Sequence, residues 1–177
     1  MPTKIGNGKS QTTEYKHITV LSEESIEALN IKPNGIYVDG TLGGGGHSAL
    51  ICEKLGPKGT LIGIDRDTDA LSAAGDRLSK YNCKKIFVHN NYSNIKEVLG
   101  ELCSEGKIGK NKIDGAVLDL GVSSFQLDNE SRGFSYMKKS PLDMRMDTED
   151  RLSAYDVVNG YDQRSLADII TKYGEEA

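Results

Sequence analysis

No stretch of the chain is apolar for the ~20 residues that a bilayer span needs, so the sequence offers no transmembrane helix. The first sixteen residues, MPTKIGNGKSQTTEYK, lack the apolar centre of a secretory signal. They read as a flexible lead-in, 1–16, outside the fold. Cysteine is scarce: Cys52, Cys83 and Cys103 are odd in number, far apart and never in a C-x-x-C pair. That speaks against a disulfide framework or a metal cluster and for buried reduced thiols in a cytoplasmic protein. Positive charge is also in deficit. A net charge of -4 over 177 residues argues against a surface that binds nucleic acid all round, though a local basic groove is compatible with it. Repeats and low-complexity tracts are absent.

What the chain does have, from 17 to 120, is an alternation of helix and strand signals. SEESIEALN reads as a helix with Ser22 as its N-cap and acids in its first turn. GIYVDG is a short strand. HSALICEKLG is a helix closed by Gly56, TLIGID a second strand, and DTDALSAAGDRLSKY a helix capped by Asp67 or Thr68. KKIFVH is a third strand, SNIKEVLGELCSEG a helix capped by Ser93, and IDGAVLDL a fourth strand. Short, nearly continuous apolar strands separated by helices predict a parallel sheet covered on both faces, an α/β doubly wound, Rossmann-like fold. The strand signals stop after Leu120. Residues 121–147 are rich in Gly, Ser, Asp and Arg and have no strong period, which reads as a long functional loop. Two short helices follow, one behind Ser153 and one behind Asp162 that stops at Gly174. The second has an apolar face of Leu166, Ile169, Ile170 and Tyr173. A fourth strand bearing chemistry normally sits inside such a sheet, and no outer neighbour for it follows. The sheet therefore reads as incomplete, the N-terminal part of something longer.

The segment DGTLGGGGHS, residues 39–48, follows the first strand and opens a helix. In a doubly wound sheet this position faces a nucleotide at the carboxyl ends of the strands, where amides at the helix start can meet a carboxylate or phosphate. Asp65, at the end of the second strand, is placed to accept both hydroxyls of a ribose. Together they predict a nucleoside site. The dinucleotide fingerprint G-x-G-x-x-G fails at Ser48, and a P-loop fails because His47 stands where lysine is wanted. The pattern Asp39 to Gly45, D-x-T-x-G-x-G, suits S-adenosylmethionine, which has a carboxylate and a ribose but no pyrophosphate. Asp119 ends the fourth strand at the same edge, either as a cap for the following turn or as a polar group at the reacting centre.

The segments HITVL, YVDGTLGGGGHS, GIDRD, LDLGVSS with QLD, RGFS, PLDMRMD and YGEE occur in this order. They resemble the MraW/RsmH family, S-adenosylmethionine-dependent methyltransferases that modify the N4 amine of a cytidine in small-subunit (16S) ribosomal RNA. The resemblance runs from about His17 to Glu176. It implies a Rossmann-like class I methyltransferase whose first half occupies 17–120, with the start of an inserted helical, substrate-recognising domain at 121–177. It also implies that the later sheet strands lie beyond this sequence. Position by position, it puts Gly45, Gly46 and His47 at the methionine end of the cofactor, Asp65 at the ribose and Tyr92 by the adenine. Asp119 and Gln126 complete the pocket, and Asp119 is the candidate catalytic group; no metal is implied. Phe125 departs from the family, which usually has proline there, and this puts the backbone around Gln126 in question. On the residues alone His47 could instead be satisfied by a neighbouring carbonyl, and Tyr92 could be a core aromatic. Residues 144–146 could be an apolar stripe interrupted by a salt bridge, or an RNA-side surface with Arg132, Lys138 and Lys139. The implied partner is small-subunit ribosomal RNA or the assembled small subunit. A non-catalytic nucleoside- or RNA-binding module, or an inactive fragment, is the competing expectation, and a nicotinamide-dependent dehydrogenase a third.

Overall fold

The computed structural model of the chain describes residues 21–137 and 139–174. The lead-in 1–16, His17 and the rest of 17–20, the side chain of Ser22, Lys138 and residues 175–177 lie outside the described residues.

Four parallel strands form one sheet: β1 (Ile36–Asp39), β2 (Thr60–Asp65), β3 (Lys84–His89) and β4 (Gly115–Val117), in the order β3-β2-β1-β4. In register, Val38 of β1 lies between Ile62 of β2 and Ala116 of β4. The helices between strands are α2 (Gly46–Lys54), α3 (Thr68–Leu78) and α4 (Ile95–Ser104), with α1 (Ser22–Leu29) ahead of β1. Side chains alternate across the sheet, and each face has its own core. On one face Tyr37 and Leu61 pack with Ile26 of α1, Ile51 and Cys52 of α2, and Ala74 and Leu78 of α3. On the other, Ile36, Val38, Ile62 and Ile64 pack with Val98, Leu99 and Leu102 of α4. Each fully buried aliphatic side chain here contributes about 1.5–3 kcal/mol. The expected doubly wound sheet is therefore present, and the inner strands β1 and β2 are buried on both faces.

Several expected boundaries move. The helix over α1 begins at Ser22 itself, so the cap position falls on Leu21. The helix α2 stops at Lys54, before Gly56, whose amide donates to the carbonyl of Pro33. Asp67, one of the two expected caps of α3, accepts the amide of Asp69. Ser93 does not cap the next helix. The N-cap position of α4 is Asn94, without a side-chain cap bond, and Asn91 accepts the amide of Ser93 to cap a single 3-10 turn, Tyr92–Asn94, ahead of it. The fourth strand is shorter than IDGAVLDL. Only three residues pair with β1, which leaves Asp119 two residues beyond the ladder. Among the described residues β4 has no neighbour on its outer side, and Leu118 and Leu120 beyond it are exposed.

The segment 121–147 carries local structure. The helix α5 (Ser124–Asp128) starts with a capping box between Ser123 and Gln126, and a 3-10 turn follows at Glu130–Arg132. The helix α6 (Ala154–Gly160) has a second capping box, Ser153 with Asp156. The helix α7 (Gln163–Tyr173) is capped by Asp162 and ends at Gly174 as expected. The apolar face of α7 is not buried: Ile170 and Tyr173 remain exposed among the described residues.

Candidate functional site

The strand order reverses direction between β1 and β4, so chain segments leaving the carboxyl ends diverge there and open a crevice. A cavity of about 260 Å³ occupies it. Its walls come from the turn after β1, the ends of β2 and β3, and the segment after β4.

The glycine turn is set by conformation before it is set by any ligand. Gly43 and Gly45 have φ of 49° and 73°, the left-handed region that other residues enter at a cost. A Cβ on Gly45 would stand 3.3 Å from Ala74, so the turn also lets α2 approach α3. Beneath it lies Asp39, 2% exposed, which accepts the Ser48 hydroxyl at 2.7 Å and the Thr41 amide at 3.2 Å. Burial pushes the Asp39 carboxyl above its ordinary range, against the pull of those two bonds. Asp65 accepts the amide of Gly43 at 2.7 Å through one oxygen and the amide of Asp67 at 2.9 Å through the other. The expected division of labour, glycines for one end of a ligand and Asp65 for its sugar, is thus joined by a direct bond between the two. A carboxylate has roughly four acceptor positions. Asp65, on the cavity wall, therefore keeps capacity for ligand hydroxyls.

Of the residues expected to hold a ligand, Asp65, Tyr92 and Gln126 line the cavity, whereas Gly45, Gly46, His47 and Asp119 are not among its wall residues. The Asp119 side chain is half exposed; its backbone amide donates to Thr41 Oγ1 at 2.7 Å. One carboxylate oxygen of Asp119 is 3.9 Å from His47 Nδ1. His47 itself is buried, and its Nε2 has no hydrogen-bond partner among the described residues. Phe125 leaves Gln126 well fixed. The Gln126 amide oxygen accepts the Ser123 amide at 3.0 Å, and its Nε2 donates to Asp67 at 3.0 Å.

The expectation of an RNA-side surface fails at Arg132. This residue is 4% exposed and donates to Asp67 Oδ2 at 2.6 Å. A guanidinium so enclosed and paired is withheld from a phosphate. Arg145 is also committed, as a two-bond pair with Asp143 at 2.9 and 2.7 Å, and to the carbonyls of Thr148 and Asp150. Lys139 remains exposed. Within 144–146 the salt bridge is therefore real, and Met146 turns inward to line the cavity. Residues 143–150 form a strap over the ends of β2 and β3: Asp147 meets His89 at 3.0 Å and Asp150 meets Arg66 at 2.7 Å. Burial works to lower the His89 pKa, but its bond to the Arg66 carbonyl and the Asp147 charge outweigh this and the net shift is upward.

Sequence reasoning missed Thr41, Asn90, Asn91 and Met146 as wall residues. Thr41 stood inside the quoted segment DGTLGGGGHS, and Asn91 just after the strand KKIFVH, as polar residues past strand ends. That position was the available signal.

An open parallel sheet wound on both faces, with a glycine turn and an acid gathered at its switch point, defines the Rossmann-like α/β class, whose members bind nucleotides or nucleosides at this place. Within that class the chain belongs to the MraW methylase family, which matches it over residues 14–177. It is 58% identical over 163 residues to the ribosomal RNA small subunit methyltransferase H of Clostridium botulinum (strain Kyoto / Type A2), covering 92% of this chain and 50% of that protein. It is 55% identical over 163 residues to the protein of the same name from Clostridioides difficile (strain 630), with the same coverage. The chain thus spans half the length of these curated relatives. Among solved structures, a SAM-dependent O-methyltransferase from Thermotoga maritima overlaps 56% of this chain and 34% of its own, at 18% identity and a TM-score of 0.43. An rRNA methylase from Streptococcus thermophilus overlaps 46% of this chain and 49% of its own, at 21% identity and a TM-score of 0.39.

Proposed function

We propose that this chain is the donor-binding half of an S-adenosylmethionine-dependent methyltransferase that acts on the N4 amine of a cytidine in small-subunit (16S) ribosomal RNA. The observation that carries the reading is family membership across 14–177, with relatives named for that class of reaction. The site supports it. Asp65 faces the cavity with acceptor capacity to spare, and the unpartnered Nε2 of buried His47 stands beside the glycine turn.

In this reading Asp65 accepts the ribose hydroxyls, Tyr92 and Met146 flank the adenine, and the turn from Gly43 to His47 meets the amino-acid end. When bound, the donor supplies a methyl group made electrophilic by its sulfonium. The lone pair of a cytosine amine is delocalised into the ring, so the protein's main task is alignment of the amine with that methyl. Asp119, half exposed at the mouth, is suited to accept a hydrogen bond from the amine and to stabilise positive charge developing there. A stacked base cannot reach this place, so the cytidine is taken unpaired or swung out at a cost of a few kcal/mol. Residues 17–120 supply most of the donor site, and 121–177 add Gln126 and Met146 to its wall and begin the substrate side.

The test is transfer of labelled methyl from S-adenosylmethionine to naked small-subunit rRNA and to assembled subunits, by this chain and by the chain extended to the relatives' full length. Methyl-cytidine at N4 in the extended protein is the expected result; product at another atom or no product overturns the assignment. A second reading, a donor-binding piece that does not turn over alone, is favoured by the open side of β4 and by the half-length match. It expects calorimetric binding of S-adenosylmethionine by both forms and transfer by the extended one only.

A further inference from the structure

Asp67 and Arg132 stand 65 residues apart and are 2% and 4% exposed. A helix cap needs one acceptor, and Asp67 Oδ1 supplies it to Asp69. Its Oδ2 is spent wholly on the segment after β4, accepting Arg132 Nη1 at 2.6 Å and Gln126 Nε2 at 3.0 Å. The second guanidinium nitrogen of Arg132 turns the other way and donates to the carbonyls of Arg145 at 3.1 Å and Met146 at 2.8 Å. Met144 donates its amide back to the Arg132 carbonyl at 3.0 Å. One buried ion pair therefore fixes both walls that the segment contributes to the cavity: Gln126 on one side and Met146 on the other. It is also tied to Asp65, whose Oδ1 holds the amide of Asp67.

We infer that the Arg132–Asp67 pair is a positioning device that docks residues 120–150 onto the donor cavity, so that strap docking and donor binding reinforce one another. This rests on reading the cavity as the donor site. Burying two charges is expensive unless each is paired and further hydrogen-bonded; here both terminal nitrogens of Arg132 are bonded, while its buried Nε has no partner among the described residues. A core that needed only stability is served as well by apolar residues of similar volume. What the ion pair adds is a fixed direction: a planar fork that sets where the carbonyls of Arg145 and Met146 must lie. Coupling is reciprocal by linkage. A donor contacting Asp65 and Met146 favours the docked strap, and a docked strap raises donor affinity.

The experiment compares wild type, Arg132→Met, Arg132→Lys, Asp67→Asn and the double variant Asp67→Asn/Arg132→Met. Circular dichroism checks folding, calorimetry measures S-adenosylmethionine affinity, and hydrogen exchange follows the amides of 141–150 with and without donor. Arg132→Met and Asp67→Asn are each expected to speed exchange across 141–150 in the donor-free protein and to raise the donor Kd at least tenfold. Arg132→Lys recovers part of both, and the double variant is no worse than the poorer single one. Folded variants with wild-type exchange at 141–150 overturn the inference, and so does faster exchange with an unchanged Kd. If wild-type protein binds no donor, the functional reading falls, and the exchange comparison alone then upholds or overturns the docking role. Should Arg132→Met fail to fold, Arg132→Lys and Asp67→Asn carry the same comparison.

Discussion

Gly45 holds a left-handed φ of 73° at the start of α2 with Ala74 close by. Gly45→Ala should therefore cost about 1–2 kcal/mol of stability, read from the denaturant midpoint, since the left-handed region penalises a Cβ by that amount. Asp119 is the opposite kind of residue. Its structural bond is made by its backbone, and its side chain is half exposed. Asp119→Ala should change stability by under about 0.5 kcal/mol. In the extended protein it should cut labelled methyl transfer at least tenfold; wild-type turnover in that variant removes Asp119 from the mechanism. Asp65→Ala should weaken S-adenosylmethionine binding by calorimetry and also leave the Gly43 amide without its acceptor, so affinity and melting temperature should fall together. The place of Asp65 on the cavity wall could be read from sequence because it follows from local position, an acid at a strand tip after a glycine turn. Arg132 could not. Whether a surface-type residue is buried depends on a partner 65 positions away, and nothing local to RGFS announces one. Phe125 misled for the reverse reason: the family's proline fixes backbone locally, while here Gln126 is fixed by side-chain bonds to Ser123 and Asp67.

At the scale of elements, strands were legible both inside the sheet, where β2 is buried, and at its edge, where β3 is only half-buried. β2 and β3 fall on TLIGID and KKIFVH as read, because a short run of β-branched and aromatic residues bounded by turn residues leaves little choice. β4 was overread, since LDL is as apolar as a strand but ends a ladder that pairs with one neighbour. The 121–147 segment looked structureless because its order comes from caps and ion pairs rather than from hydrophobic period. The strap it leads into should respond to pH. The folded pKa of His89 is raised above its ordinary 6.5, so the protonated form is favoured in the folded state. Its stabilising contribution is fully present below about 6.5 and is lost as pH rises through the higher folded value. The groups facing it are Asp147, Glu149 and the Arg66 carbonyl. Amide NMR signals of 143–150 should show greater mobility at about pH 8 than at about pH 6, and His89→Gln should abolish that difference. A strap equally ordered at both pH values in wild type removes His89 as the latch.

For the molecule as a whole, the two outer strands of the sheet, β3 and β4, are each paired on one side only among the described residues. Among the described residues β4 pairs only with β1, and Ala116 is exposed on it. Unpaired strand edges recruit other strands. The chain alone should therefore show concentration-dependent association in sedimentation velocity, and Ala116→Lys should reduce it without altering the circular dichroism spectrum. A monodisperse wild type at all concentrations refutes this. Fold class and the presence of a cavity at the carboxyl ends of the strands were legible because both follow from strand order and strand-tip chemistry. The coupling of the two halves of the site was not, because it is written in pairs distant along the chain. That separation has a consequence for synthesis. Asp67 emerges from the ribosome 65 residues before its counter-ion. At ~5–20 residues per second, this is a delay of roughly 3 to 13 seconds. Throughout that interval Asp67 Oδ2 has neither Arg132 nor Gln126 to meet it. The part of the cavity wall that carries Gln126 and Met146 is thus made only after β1 to β3 have been synthesised.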